Sequence, residues 1–110
     1  HHRDKRDAPS GTALKLGAAI SSARALDATP RARIGADQTR DDGEIGYAVT
    51  RGGAVIGEHS VAFLGNHDRL EIHHAATDRR LFAAGALAAA RWLVNQPAGH
   101  YSMAALFAET

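Results

Sequence analysis

The first twelve residues contain the densest group of side chains that could do chemistry. His1 and Lys5 are four residues apart, and His2 lies beside them. An imidazole can give or take a proton near neutral pH, and a lysine among other cations can serve as a proton donor. The spacing therefore predicts proton transfer to or from a small molecule, with His1 and Lys5 as the candidate groups.

A helix start follows directly. Pro9-Ser10-Gly11-Thr12 is typical of a turn that leads into a helix, with Ser10 or Thr12 as the N-cap. The free amides of a first turn and the positive end of the helix dipole favour a carboxylate or phosphate, and a glycine lets an anion approach the backbone. We expect a small anionic substrate here. The alternative is a basic terminal loop before an ordinary capped helix.

Composition excludes several classes of function. Thirteen Lys and Arg against twelve Asp and Glu give a net charge of +1, without the basic excess of nucleic-acid modules. The sequence has no Cys, so disulfides and thiolate metal ligands are absent from it. No apolar run approaches the roughly 20 residues that span a bilayer. We expect a cytoplasmic protein with neither nucleic-acid nor membrane partners.

Seven histidines make metal binding worth testing. His73 and His74 are neighbours on a predicted strand, so they point to opposite faces and cannot easily share one ion. His59 opposite His74 could supply two ligands, but no third ligand is evident, and H-E-x-x-H is absent. We predict no metal site and interpret the pair as a structural couple. A His-rich metal carrier is the alternative.

Three segments show the period-two alternation of strands with one buried face: residues 44–50, 54–64 and 69–75. Residues 51–53 and 65–68 are the candidate hairpin turns. If Leu64 faces Arg69, then His59 faces His74, and the apolar residues of all three strands share one face. The opposite face is either wet or packed on another sheet; its small and mildly polar residues are Gly46, Ala48, Glu58, Ser60, Ala62, Glu71 and His73.

Segments with the apolar spacing of helices precede and follow these strands. Ala13, Leu16, Ile20 and Ala23 predict one face of a first helix, and residues 25–43 predict a long connection. A second helix is expected from a Thr77 or Asp78 cap to about Val94, with an apolar stripe of Phe82, Ala86, Ala89 and Leu93. A short helix is expected over Ser102–Ala108. The order predicts one α+β domain over residues 1–110, an antiparallel sheet with two long helices packed on one face.

One family signature closely resembles the start of this chain, that of the 4-hydroxy-tetrahydrodipicolinate reductases, formerly called dihydrodipicolinate reductases. The matching residues are His1-His2-Arg3-x-Lys5-x-Asp7-Ala8-Pro9-Ser10-Gly11-Thr12-Ala13. Residues 43–47, 51–53, 55–61, 71–76, 79–86 and 101–103 also resemble successive segments of the family. The resemblance covers nearly the whole chain and is confined to the family's C-terminal domain.

The resemblance implies a reduction of a cyclic dicarboxylate with NADPH or NADH, in diaminopimelate and lysine biosynthesis. It implies an N-terminal Rossmann domain, absent from this chain, and a homotetramer built through the free face of the sheet. In agreement, Gly52, Gly53 and Gly57 lack the G-x-G-x-x-G spacing of a dinucleotide site. The start at His1 fits a tag remnant or a piece of a longer protein, and the motif that follows favours the piece.

The matched motif also implies individual roles. His1 is the expected proton donor or acceptor, and Lys5 is a second proton donor. The substrate carboxylates are expected at His2, Ser10, Gly11 and Thr12. We expect the 110 residues alone not to catalyse the reaction. The alternative function is a non-catalytic oligomerisation or small-anion-binding module.

Overall fold

A computed structural model describes residues 1–26 and 39–108. Its elements are α1 (Gly11–Arg24), β1 (Gly57–Leu64), β2 (Arg69–Ala76), α2 (Arg80–Leu93) and α3 (Met103–Ala108). The predicted α+β class is confirmed. Most of the predicted connection over 25–43 lies outside the described residues. The chain divides into two compact units, His1–Ala75 and Ala76–Thr110, and the single domain stays a prediction.

Helix α1 begins where the sequence predicts. Ser10 is its N-cap, with an extended backbone, and its Oγ accepts a hydrogen bond from the Ala13 amide at 3.2 Å. Thr12, the other predicted cap, lies inside the helix. The helix ends at Ala25, whose positive φ of 52° turns the chain away.

The face that α1 buries agrees only in part with the predicted one, since Ala13 and Ile20 are half-buried but Leu16 and Ala23 are exposed. Gly17 is the buried residue of the helix, whereas Leu16 is 38% exposed. A side-chain carbon at position 17 would overlap the Tyr47 ring, so the missing side chain lets that ring lie against the helix. The Tyr47 hydroxyl is buried there without a hydrogen-bond partner in the described ranges. Apolar spacing could not show this, because glycine carries no hydropathic signal.

The predicted hairpin between the last two strands is present. β1 and β2 form a two-stranded sheet, and the Gly65 amide donates to the Asp68 carbonyl at 3.0 Å across the turn. Continuing that pairing places Leu64 opposite Arg69 and His59 opposite His74, the predicted register. Two histidines therefore come together on one side of the hairpin.

The predicted first strand is wrong. Residues 44–50 contain only an isolated bridge at Gly46, and the strand that follows begins at Gly57 rather than Ala54. The turn at residues 51–53 is not a hairpin, because its polar groups bond to the chain's first residues. The bonds run from His1 N to Thr50 O (3.2 Å), Gly52 N to His1 O (3.0 Å) and Arg3 N to Gly53 O (3.3 Å). Alternation indicates an extended chain, but it does not identify the partner.

The predicted buried face of the sheet is half-buried on β1 but exposed on β2. His59, Val61 and Phe63 of β1 are half-buried, as predicted, but Leu70 and Ile72 of β2 are 59% and 62% exposed. Of the described hydrophobic residues, Ala76 alone is buried. The predicted burial of the β2 face is therefore wrong for this chain by itself. A two-stranded sheet is marginal unless other elements cover it.

The second unit contains two helices. The Asp78 carboxylate accepts the Arg80 amide at 2.8 Å, so Asp78 caps the first turn of α2 as predicted, although Arg79 occupies the N-cap position. The terminal helix is present over Met103–Ala108. An apolar groove of about 170 Å³ lies between α2 and α3, beside the edge-on contact of Trp92 with Tyr101. That two helices cover one face of the sheet stays a prediction.

None of the helices in the described ranges is both long and apolar enough to cross a membrane.

We predict that Gly17→Ala destabilises the protein. Alanine gains up to about 1 kcal/mol in helix propensity. Overpacking against Tyr47 costs about 1–3 kcal/mol, so the net change should be a loss. Denaturant unfolding measures it. The matched control is Gly85→Ala in α2, where the added carbon meets open space and should stabilise. Equal effects of the two substitutions would contradict the close approach of Tyr47.

Candidate functional site

Ser10 is the most buried polar residue at the start of α1. It is 6% exposed, and its hydroxyl has two neighbours. The Ala13 amide donates to Oγ at 3.2 Å, and Nε2 of His59 lies 3.2 Å from the same atom. The contact joins residues 49 positions apart, so one hydroxyl ties the first turn of the helix to strand β1.

His59 also meets the first residue of the chain. The rings of His1 and His59 lie edge to face, with centroids 4.9 Å apart and planes at 72°. Gly57 makes room for this arrangement, since a side-chain carbon there would lie 3.3 Å from His1 Nε2. His1 and Ser10 are thus brought to the same imidazole, from opposite ends of the predicted motif.

The surroundings of His59 favour its neutral form. Burial lowers the pKa of His59 below its usual value, and nearby positive charge lowers it further. The charges come from His74 across the hairpin, from the amino group of His1 and from Lys5. At neutral pH the ring is therefore uncharged, with one N–H donor and one acceptor nitrogen.

Lys5 makes a local ion pair. Its Nζ lies 2.7 Å from Oδ1 of Asp7, and the hydrogen bond from Lys5 lowers the pKa of the Asp7 carboxyl. Asp7 is well exposed, so this pair contributes little to stability. Its effect is positional, because the bond fixes where the ammonium group lies.

Arg51 fastens the segment that carries Lys5. Its guanidinium donates to three backbone carbonyls, those of Lys5 (3.3 Å), Thr50 (3.1 Å) and Asp7 (2.6 Å). A rigid fork of donors suits several acceptors at once. These bonds give Arg51 a structural role.

The other predicted residues are close in sequence but not bonded together. The His2 carbonyl accepts the Lys5 amide at 3.3 Å, which closes a turn. Gly11 and Thr12 are exposed in the first turn of α1, and no acceptor in the described part of the chain meets their amides. Nor do the side chains of His2 and Lys5 bond to Gly11 or Thr12 within residues 1–26 and 39–108. The individual roles of these residues stay predictions.

Two amides at a helix start, a buried hydroxyl and nearby cationic or titratable groups can hold a small anion and exchange a proton with it. The apolar groove between α2 and α3 contains none of these residues, and its lining is unsuited to that chemistry. Within the described ranges, no group of three His, Asp or Glu side chains could hold a metal ion.

The contact of His59 with Ser10 was missed by sequence reasoning. The strand register gave His59 a partner in His74, but it carried no signal for a contact with residue 10. The glycines do not form a dinucleotide cradle, because Gly52 and Gly53 lie in a turn bonded to the N-terminal segment and not between a strand and a helix. These glycines therefore do not provide a site for the phosphates of a nicotinamide cofactor.

The fold and the site define an α+β segment in which the free amides of a helix start lie beside a buried serine and two histidines. The chain belongs to the dihydrodipicolinate reductase family: the model described as "Dihydrodipicolinate reductase, C-terminus" matches residues 1–107. The resemblance found in the sequence is thereby confirmed.

Curated relatives named 4-hydroxy-tetrahydrodipicolinate reductase agree with this assignment. The protein of Gluconobacter oxydans is 48% identical over 104 residues, which cover 94% of this chain and 42% of the relative. That of Caulobacter vibrioides is 50% identical over 106 residues, covering 94% and 41%. That of Agrobacterium fabrum is 51% identical over 106 residues, covering 94% and 38%. The chain thus spans about 40% of the length of these relatives.

We predict that His74→Gln raises the pKa of His59. The substitution removes the positive charge that His74 contributes, but burial remains the largest cause, so the pKa should stay below its usual value. An NMR pH titration of the imidazole measures the change. His67→Gln at the exposed hairpin tip is the control and should leave the pKa of His59 unchanged.

The same shift predicts how stability depends on pH. Because the pKa of His59 is lower in the folded chain, the unfolded chain takes up the proton first as the pH falls. The stabilisation is fully present above the unfolded pKa of about 6.5 and is lost as the pH falls through the folded pKa. His74→Gln should reduce this acid-side loss in thermal unfolding. A pKa of His59 unchanged by the substitution would contradict the charge coupling.

Proposed function

We propose that this chain is the substrate-binding and oligomerisation part of an NAD(P)H-dependent 4-hydroxy-tetrahydrodipicolinate reductase in diaminopimelate and lysine biosynthesis. Membership of the family and the name of the relatives support the proposal. The observation that carries it is the start of α1, where unpaired amides lie beside a buried serine and two histidines. We place the intact protein in the cytoplasm.

The start of α1 holds the substrate in this proposal. The Gly11 and Thr12 amides and the hydroxyls of Ser10 and Thr12 donate to the carboxylates of a small cyclic dicarboxylate. His2 contributes a further contact from the turn that it forms with Lys5. Amides at a helix start suit an anion because the dipole and the free N–H groups act together.

His1 and Lys5 handle the proton. His1 is the proton donor or acceptor, and its ring is held against His59. Lys5 is a second proton donor, and its ammonium group is held by Asp7 in a segment fastened by Arg51. A general acid must be held within reach of the atom that it protonates, and these contacts restrict both groups.

The nicotinamide cofactor, NADPH or NADH, supplies the hydride when bound. We assign no residue of this chain to it, since the glycines here do not form the required cradle. The relatives are more than twice as long as this chain, and we place cofactor binding in a Rossmann domain outside these 110 residues.

The sheet is the proposed surface of a homotetramer. Two small residues of its predicted free face, Ser60 and Ala62, are exposed, and the sheet has only two strands in the part of the chain that the structure describes. Edges and faces of so small a sheet need to be covered by another element or another chain. A non-catalytic oligomerisation module is the second candidate function, and the same exposed sheet favours it.

Calorimetry with pyridine-2,6-dicarboxylate, a planar mimic of the substrate, tests the substrate site. We expect the chain to bind it without reducing a substrate. Thr12→Val should weaken binding about ten- to a hundredfold, because a hydrogen bond to a charged group contributes about 1.5–3 kcal/mol. Thr12→Ser keeps the hydroxyl and is the matched control. His2→Ala should also weaken binding.

No binding by the unaltered chain would contradict the substrate site and favour the oligomerisation module. Thermal unfolding of each variant shows whether a loss of binding reflects a loss of fold.

Sedimentation velocity tests the homotetramer. Ala62→Arg places a long cation on the small-residue face and should shift the assembly to smaller species, since an unpaired charge is costly to bury in an interface. His67→Arg adds the same side chain at the hairpin turn and should leave the assembly intact. A tetramer unaffected by Ala62→Arg would show that this face is not the interface.

A further inference from the structure

The Ser10 hydroxyl can make at most three hydrogen bonds. A serine hydroxyl carries one hydrogen and two lone pairs. The Ala13 amide takes one lone pair, at 3.2 Å. The contact with His59 Nε2, also 3.2 Å, uses either the second lone pair or the hydrogen. The tautomer of His59 decides which, because a neutral imidazole has a single N–H.

The two tautomers have opposite consequences for an anion. If Nε2 is bare, the Ser10 hydroxyl donates to it and can offer a carboxylate only a lone pair, which repels it. If Nε2 carries the hydrogen, it donates to Oγ, both lone pairs are filled, and the serine hydrogen is left to donate outward. Ser10 is itself 6% exposed, so it has little water with which to exchange these bonds.

The groups around the His59 ring favour its neutral form, which has two possible tautomers. His59 is faced by the His1 ring, by His74 from the opposite strand and by Ser10, with Lys5 close enough to act through its charge. The charged groups that act on the His59 ring are all cationic when protonated, and no carboxylate is among them. A second proton is therefore disfavoured, and the neutral ring must place its single hydrogen on one nitrogen.

We propose that His59 is a positioning residue whose Nε2–H donates to Ser10 Oγ and thereby leaves the Ser10 hydrogen to bind a substrate carboxylate. This inference rests on the proposed function, because it acts on the substrate site described there. His59 does not touch the substrate; it acts through Ser10.

Two substitutions of similar size at position 59 distinguish the loss of the N–H donor from the loss of side-chain volume. In His59→Gln the side-chain amide can place an N–H near the position of Nε2, and in His59→Met no donor remains. We expect His59→Gln to bind pyridine-2,6-dicarboxylate within about threefold of the unaltered chain. His59→Met should bind it about ten- to a hundredfold more weakly. Equal binding by the two variants would overturn the inference.

A double-variant cycle adds a second readout. If His59 acts through Ser10, the combination of Ser10→Ala with His59→Met should weaken binding little more than Ser10→Ala alone. Additive losses would indicate that His59 acts independently of Ser10 and would overturn the inference. Melting temperatures of all variants are measured alongside.

Nitrogen NMR of the unaltered chain measures the tautomer of His59 directly. With pyridine-2,6-dicarboxylate bound, the ¹⁵N shifts of His59 should show a protonated Nε2 and a bare Nδ1. The reverse tautomer would overturn the inference even if binding is tight. Absence of binding by the unaltered chain would instead overturn the proposed function, and the inference with it.

Discussion

One hydroxyl organises the N-terminal unit. Ser10 Oγ bonds to the first turn of α1 and to His59 of β1, and the second of these contacts connects a helix to a strand far away in sequence. This contact holds the start of the helix beside the histidine of the strand. The buried serine is therefore a structural link and part of the candidate site at once.

The local elements were predictable because their signals are short in range. A serine four residues before Leu14 caps a helix, Asp78 caps another, and a four-residue turn closes a hairpin; each of these needs only neighbours in sequence. The C-terminal helix follows from the same kind of pattern. For the same reason the α+β class could be predicted.

The errors all concern partners distant in sequence. Residues 44–50 alternate as a strand does, but the nearby turn bonds to His1 and Arg3 instead of closing a hairpin. The buried face of α1 centres on Gly17 because a tyrosine 30 positions away lies there. The motif predicted the site residues as a set, but the contact of His59 with Ser10 had no sequence signal. Contacts of this kind depend on how separate segments pack.

The guanidinium of Arg51 fastens the N-terminal segment through a charge that does not change near neutral pH. Arg51 holds the carbonyls of Lys5 and Asp7, and an arginine keeps its charge throughout the range in which imidazoles gain and lose theirs. The anchorage of this loop therefore does not vary with acidity. Histidines nearby can change protonation state while the backbone that bears them remains tethered at the same points.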